Sequence, residues 1–369
     1  MHVDPALVAA LSLDPATATI KSHGGSGFAS TYKLIGEKKK KKKDSPDSGL
    51  DLDSNSDAEE TTQVQFFVKT GTGADAATMF RGEFTSLNAI ADAVANFCPR
   101  AHAHGAMQDR KDTYFLATDF LELGRDSSSS TSSSCAGTSS GRSLAAKLAE
   151  LHTRDMTAAA PDPRKPFGFP VTTCCGSTEQ DNSWKASWAE FYADNRLRHI
   201  LAACIKNNGQ DSRLTDAVER TASKVVPRLL GDDHLQQSRQ RGGGAIRPAV
   251  IHGDLWSGNH GRGRIVAATT TATGTEASSN GTEAVVYDPS SVYGHSEYEM
   301  GIMRMFGGFS PSFYREYTAL VPKDEPVDEW EDRVALYELY HHLNHFAMFG
   351  GGYRSGAMGI MEKLIKKYG

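Results

Sequence analysis

Between Val250 and His260 the chain reads Val-Ile-His-Gly-Asp-Leu-Trp-Ser-Gly-Asn-His, and a second acidic turn, Tyr287-Asp288-Pro289, follows downstream. Magnesium-assisted phosphoryl transfer needs three things: a carboxylate that takes the proton of an acceptor hydroxyl, a short oxygen ligand a few residues on, and a second carboxylate on a neighbouring strand. Asp254 is the candidate catalytic base, and Asn259 and Asp288 are the candidate Mg²⁺ ligands. A His-Gly-Asp triplet alone also arises by chance in unrelated turns. Here the spacing supports the chemistry, because residues 267–282 form a Thr/Ser/Gly/Ala tract that reads as an inserted loop tip. Its removal leaves Arg264-Ile265-Val266 and Ala284-Val285-Val286-Tyr287 as the two strands of a hairpin joining the two acidic turns.

Such a site requires a phosphate loop, a lysine on a strand and a helix glutamate upstream, and each is present in that order. Gly24-Gly25-Ser26-Gly27 enters a strand and lacks the side chains that would keep backbone amides from a triphosphate. Val64-Gln65-Phe66-Phe67-Val68-Lys69 is a strand ending in Lys69, the candidate phosphate-binding lysine; an ordinary exposed lysine is the plain alternative. Residues 80–97 have helical periodicity with Phe84, Leu87, Ala91 and Val94 on one face, and Glu83 near the start as candidate partner of Lys69. An acidic residue there could equally complement the helix dipole. Tyr114 to Leu123 is an apolar strand running into a mixed segment, where Asp119, Phe120 and Leu121 are candidates for the edge that meets adenine. The order parallels the H-R-D-x-x-x-x-N and D-F-G arrangement of protein kinases, with Gly253 in place of Arg and Pro289-Ser290 in place of Phe-Gly.

With these motifs in place, the chain resembles the fructosamine/ketosamine-3-kinase family, a branch of the protein-kinase-like superfamily that also holds aminoglycoside and choline kinases. The resemblance runs from about Gly24 to Tyr353 and rests on His252-Gly253-Asp254-Leu255-Trp256-Ser257-Gly258-Asn259, on Asp288 to Glu297, on Met305-Phe306-Gly307-Gly308-Phe309, and on Leu343-Asn344-His345 with Phe349 to Tyr353. The Trp after Asp-Leu and the Tyr293-Gly294-His295 stretch separate this family from its aminoglycoside and choline relatives. His295-Ser296-Glu297 stands where many relatives have His-Arg-Glu, and the glycine loop lacks the cysteine many carry. The resemblance implies a bilobal protein-kinase-like α+β fold: an N-lobe over residues 1–120 with an antiparallel sheet and one helix, and a mainly helical C-lobe over 121–369. It further implies ATP and Mg²⁺ as cofactors, the 3-hydroxyl of a ketosamine as acceptor, free or protein-bound, and deglycation as the outcome. Trp256, His295 and Glu297 are then the expected substrate contacts. A small-molecule kinase of the aminoglycoside or choline type is the alternative, and a pseudokinase acting as a binding module is a second.

Composition agrees with an intracellular enzyme. The 369 residues carry a net charge of −5 and 39% hydrophobic residues, which gives no general case for nucleic-acid binding and no apolar run long enough for a membrane span. No secretory signal opens the chain, and five cysteines without C-x-x-C spacing fit a reducing cytoplasm. Three low-complexity tracts, at 37–62, 127–140 and 267–282, fall between the expected elements and read as surface insertions. The first opens with the lysine run Lys38 to Lys43, which invites a polyanion-binding reading, but the acidic stretch after Lys43 cancels most of the local charge, so a solvated loop is expected. His341 and His345 share a helical face at a spacing that can bind zinc; with no acidic third ligand nearby in sequence, packing and hydrogen bonding are the expected roles of His341, His342 and His345.

Overall fold

Alternation of apolar and polar residues builds the first part of the chain. In the computed structural model, which describes residues 2–25, 29–39, 61–124, 141–266 and 282–369, the strands Thr19–Ser22 (β1), Ser30–Lys39 (β2), Thr61–Thr72 (β3), Ala101–Ala106 (β4) and Thr113–Leu123 (β5) pair antiparallel. Their order is β1-β2-β3-β5, with β4 also pairing with β5. Because side chains alternate across a strand, Val64, Phe66 and Val68 of β3 reach one face. There they meet Leu34, Phe115 and Ala117, and the short helix Pro5–Leu11 covers them with Leu7 and Leu11. Asp4 caps that helix on Ala6 N and also accepts from the backbone of Gln108 and Asp109, tying the N-terminus to the turn after β4.

Two expectations change here. The first insertion is shorter than 37–62, since β2 and β3 stay in register out to Lys39 and Thr61. Glu37, Lys38 and Lys39 therefore pair with Gln63, Thr62 and Thr61 as ladder residues; 40–60 lies outside the described residues, as do 125–140 and 267–281. The helix expected over 80–97 runs instead from Ala74 to Ala93 and buries Phe80, Leu87 and Ile90. Glu83 is therefore in mid-helix, too far from the first turn to complement the dipole.

The chain divides into two compact units, the first comprising Met1–Ala77, Ala101–Glu122 and Ile265–Asn280, the second Thr78–Arg100, Leu123–Arg264 and Gly281–Gly369. Unlike a single cut after residue 120, this division groups most of the helix Ala74–Ala93 with the second unit. The α+β architecture is as expected, a sheet in the first unit and mainly helices in the second. At the centre of the second unit lies Trp330–Phe349, which packs on the helices His199–Asn208, Glu299–Phe306 and Tyr353–Tyr368. Its residues Leu336, Tyr337, Leu339, Tyr340 and Leu343 are fully buried among Trp188, Phe191, Tyr192 and Tyr298. Among the described residues no helix is long and apolar enough to cross a membrane.

Candidate active site

A short buried strand delivers the acidic loop. Ala249–Ile251 pairs antiparallel with Val292–Gly294, so the segments leading into Asp254 and out of Asp288 lie side by side. The chain then turns at Gly253, where φ is +83°. A Cβ there would lie 2.1 Å from the carbonyl of Ser290, so only glycine fits this crossing. Beyond the loop, His260–Val266 pairs antiparallel with Glu283–Val286, the hairpin anticipated once the Thr-rich tract is set aside.

Asp254 and Asn259 come together directly. The Asn259 amide nitrogen donates to Asp254 Oδ2 at 3.0 Å and to the Asp254 carbonyl at 2.9 Å, which leaves Asn259 Oδ1 as the ligand-capable atom. Tyr287 N donates to the Asn259 carbonyl at 3.1 Å, binding the loop to the residue before Asp288. His252 accepts from Asp254 N on Nδ1 and meets the Tyr287 carbonyl through Nε2 at 3.0 Å. Burial holds its pKa below the usual histidine value, consistent with a neutral ring that donates from Nε2. Asp288 is exposed and adopts a left-handed backbone with φ of +56°, a conformation that an Asp side chain tolerates better than most.

Electrostatics single out Asp254. Burial, and after it the negative charge of Asp288, pushes the Asp254 carboxyl up to about 8. A divalent cation would relieve that repulsion, and the available donors, an amide oxygen and carboxylate oxygens, are the hard ligands Mg²⁺ takes. The residues present therefore fit such an ion, which Asn259 and Asp288 could hold.

Several residues that organise this loop carry no motif of their own. Glu299, fully buried, accepts from His252 N at 2.6 Å and Gly253 N at 3.0 Å, while His152 Nε2 lies 3.5 Å from its carboxylate. His152 in turn contacts the Tyr317 hydroxyl at 2.7 Å. Burial alone would raise the Glu299 pKa, but His152 and the backbone donors outweigh it and hold the carboxyl below its ordinary value. Cys175 places its thiol 3.9 Å from Asp254 Oδ1. The available signal for Glu299 was an acidic residue opening a mostly apolar helix, two positions beyond the segment singled out in the sequence.

His295 and Glu297 depart from their expected role. Both are buried, and their polar atoms face protein partners: His295 contacts Tyr337 OH at 2.8 Å and Asp324 Oδ2 at 2.9 Å, and Glu297 accepts from Arg333 Nε at 2.7 Å and Asp324 N at 2.9 Å. A substrate hydroxyl would have to displace these bonds, so the pair belongs to the interior and not to a sugar-binding surface. His295, Glu297 and Asp324 are close enough together to suggest a metal site, yet the Arg333 guanidinium already supplies the positive charge there. Trp256, by contrast, is 39% exposed on the acidic loop. His341 is buried against Tyr298 and Tyr340, and burial pushes its pKa down to about 3; His345 contacts the His341 carbonyl through Nδ1 at 2.8 Å, and His342 meets Glu338 at 3.3 Å.

In the first unit, Lys69 is buried on β3 opposite Thr31 and Leu116. Gly24 has φ of +70°, and Gly25 follows; Ser26 and Gly27 lie outside the described residues. Asp119, Phe120 and Leu121 all lie within β5. Asp119 Oδ1 is 2.7 Å from His102 Nε2, and Lys33 Nζ sits 4.0 Å from the centre of the Phe120 ring.

Residues 30–367 match the family described as fructosamine kinase. The chain is 31% identical over 344 residues to the ketosamine-3-kinase of Mus musculus, covering 86% of this chain and 94% of that one. It is 33% identical over 306 residues to the chloroplastic protein-ribulosamine 3-kinase of Oryza sativa subsp. japonica, covering 83% and 74%. A solved structure from Thermobifida fusca, provisionally assigned as a fructosamine-3-kinase, superposes with a TM-score of 0.62 at 20% identity, covering 99% of this chain and 98% of that one; this is a likeness of fold. Since the matched span runs from the start of β2 into the last helix and takes in Asp254, Asn259 and Asp288, the chain belongs to the fructosamine kinase family.

Proposed function

We propose that this chain transfers the γ-phosphoryl group of ATP, with Mg²⁺, to the 3-hydroxyl of a ketosamine. The observation that carries the reading is the Asp254–Asn259 contact beside Asp288, together with the names of relatives at about a third identity. In this reading Asp254 Oδ1 or Oδ2 accepts the acceptor proton, and Glu299 and Asn259 keep that carboxylate aimed. Asn259 and Asp288 would hold the metal, which when bound would offset charge on the phosphates. Lys69, oriented by Glu83, would contact the phosphates, Gly24 to Gly27 would cover them, and the 119–121 segment of β5 would meet adenine. Positioning and charge stabilisation then account for most of the rate.

The product chemistry explains the purpose. A phosphate at C3 lies one carbon from the C2 ketone, so enolisation toward C1 lets the electron pair expel inorganic phosphate. Water then hydrolyses the resulting imine and frees the amine, which makes the reaction a repair of glycated amines. Among the described residues Cys98, Cys174, Cys175 and Cys204 form no disulfide, which supports a reducing compartment such as the cytoplasm.

Trp256 beside Phe306, with ring centres 5.8 Å apart, would also suit a quaternary ammonium acceptor, so choline is the second reading. The test is ATP consumption with fructosyl-lysine, ribulosyl-lysine, choline and kanamycin in parallel, following phosphate and amine afterwards. Turnover of the ketosamines with delayed amine release is expected; turnover of choline or kanamycin alone would overturn the assignment. Asp288→Ala is expected to weaken Mg-ATP binding in calorimetry as well as turnover, and unchanged affinity would remove Asp288 from the metal site.

A further inference from the structure

Among the described residues the exposed large apolar side chains are Leu123, Trp256, Phe306, Leu320, Val327 and Phe349. Single exposed apolar residues need no explanation, but a contiguous run of them does. The three aromatic ones form such a run. Trp256 lies 5.8 Å from Phe306, Phe306 lies 5.1 Å from His345, and His345 lies 5.7 Å from Phe349 and 5.1 Å from Tyr353, centre to centre. The strip starts two residues after Asp254 and ends where Trp330–Phe349 gives way to Tyr353–Tyr368. Two of its members are held in place. The Trp256 ring lies over Gly258, where a Cβ would come within 2.3 Å of it, and His345 is anchored on the His341 carbonyl. Burial lowers the His345 pKa, so that ring stays neutral near pH 7 and adds no positive charge to the strip.

We propose that this strip is the docking surface for the polypeptide segment that carries the modified lysine. The inference rests on the ketosamine reading above. If the 3-hydroxyl meets Asp254, the amine nitrogen on C1 and the four methylenes of lysine must lead away from the acidic loop. The lysine Cα then lies roughly 10 Å from the acceptor oxygen by ordinary bond lengths. Trp256 and Phe306 lie at the near end of the strip, suited to the protonated amine and the methylenes, which pack well on aromatic faces. Phe349 and Tyr353 lie farther out, under the peptide residues that flank the modified lysine and not under the sugar. A second copy of this chain fits less well. With exposures of 39%, 41% and 63%, the three rings offer on the order of 300 Å², well short of the roughly 800 Å² per partner that a stable dimer buries.

The experiment compares a short acetylated peptide bearing one ribulosyl-lysine with the ribulosamine of methylamine, which has the same sugar and no arm. Phe349→Ala is expected to raise KM for the peptide about 10-fold, leaving its kcat, the KM of the methylamine adduct and the KM of ATP within about twofold. Phe349→Trp is expected to restore the peptide KM, which general damage to the fold would not allow. An unchanged peptide KM, or an equal rise for both adducts, overturns the proposal. So does a dimer in sedimentation that Phe349→Ala dissolves, since the strip would then belong to a second copy. If the unsubstituted enzyme uses neither adduct, the ketosamine reading itself fails and the docking surface falls with it; normal turnover of the methylamine adduct with no peptide effect of Phe349→Ala sinks the docking surface alone.

Discussion

Two acidic clusters in the second unit are built from similar residues and end in opposite states. Around Asp254, a histidine and an asparagine share its loop and Asp288 lies on the neighbouring turn, and no arginine or lysine among the described residues bonds Asp254; burial and the neighbouring Asp288 raise the Asp254 carboxyl to about 8. Around Glu297, a histidine and two carboxylates enclose Arg333, whose guanidinium bonds Glu297 through Nε and Nη2 and the Asp324 carbonyl. There the surrounding His295, Arg241 and backbone donors outweigh burial and hold the Asp324 carboxyl below its ordinary value. Both clusters contain carboxylates next to histidine, so residue type does not separate them. What separates them is the group that bonds the central carboxylate, an asparagine amide at Asp254 and a buried guanidinium at Glu297. A carboxylate paired with a buried guanidinium holds the chain together, whereas one bonded by an amide, with its pKa raised by burial, is suited to take up a proton.

The largest effect should come from removing the reactive carboxylate. Asp254→Asn is expected to cut kcat by about 10²- to 10⁴-fold while ATP affinity and melting temperature stay close to the parent's; steady-state kinetics beside calorimetry would check this, and near-normal turnover would erase the distinction between the clusters. On the other side, Glu297→Ala leaves a buried guanidinium without its carboxylate and is expected to cost about 3–5 kcal/mol of stability in urea titrations. Adding Arg333→Leu should return most of that loss, because an apolar replacement of the whole pair is often close to neutral. A stable Glu297→Ala protein, with sugar binding lost instead, would restore Glu297 to the substrate site.

Glu299 tests the boundary, since it is buried like the second cluster but serves the first. Glu299→Gln keeps one acceptor and turns an NH₂ toward a backbone donor, with an expected cost of about 1–3 kcal/mol and a fall in kcat of roughly 10-fold. The KM for ATP should change by less than about twofold. Equal losses in kcat and in ATP affinity would mean that the whole fold of the unit had shifted, not the aim of the loop.

Local pattern made much of this protein legible. Short apolar runs marked β3 and β5, and the β-branched run Val250-Ile251 with the turn at Gly253 marked the entry to Asp254. The hairpin after Asn259 could be found only by setting aside residues 267–282, whose composition offers no strand. Errors came where local pattern stops informing. Lys38 and Lys39 looked like the start of a charged loop, yet they sit in the β2–β3 ladder, because ladder bonds are made by the backbone and accept almost any side chain. Glu83 was placed near a helix start because Gly73 to Thr78 lack large apolar residues, whereas small helix formers extended the helix back to Ala74.

The sequence by itself determined the order of the elements, the turn that only glycine can make, and the pairing of Asp254 with Asn259 five residues on. Each depends on neighbours in the chain, where spacing and residue type translate directly into geometry. Tertiary structure alone decided which charges would be balanced. Glu299 reaches back 46 positions to Gly253, Cys175 reaches 79 to Asp254, and Arg333 reaches 36 to Glu297. A carboxylate's role follows from what lies within a few ångströms of it once water is excluded, and those neighbours come from distant stretches that fold together only when the core of the second unit closes.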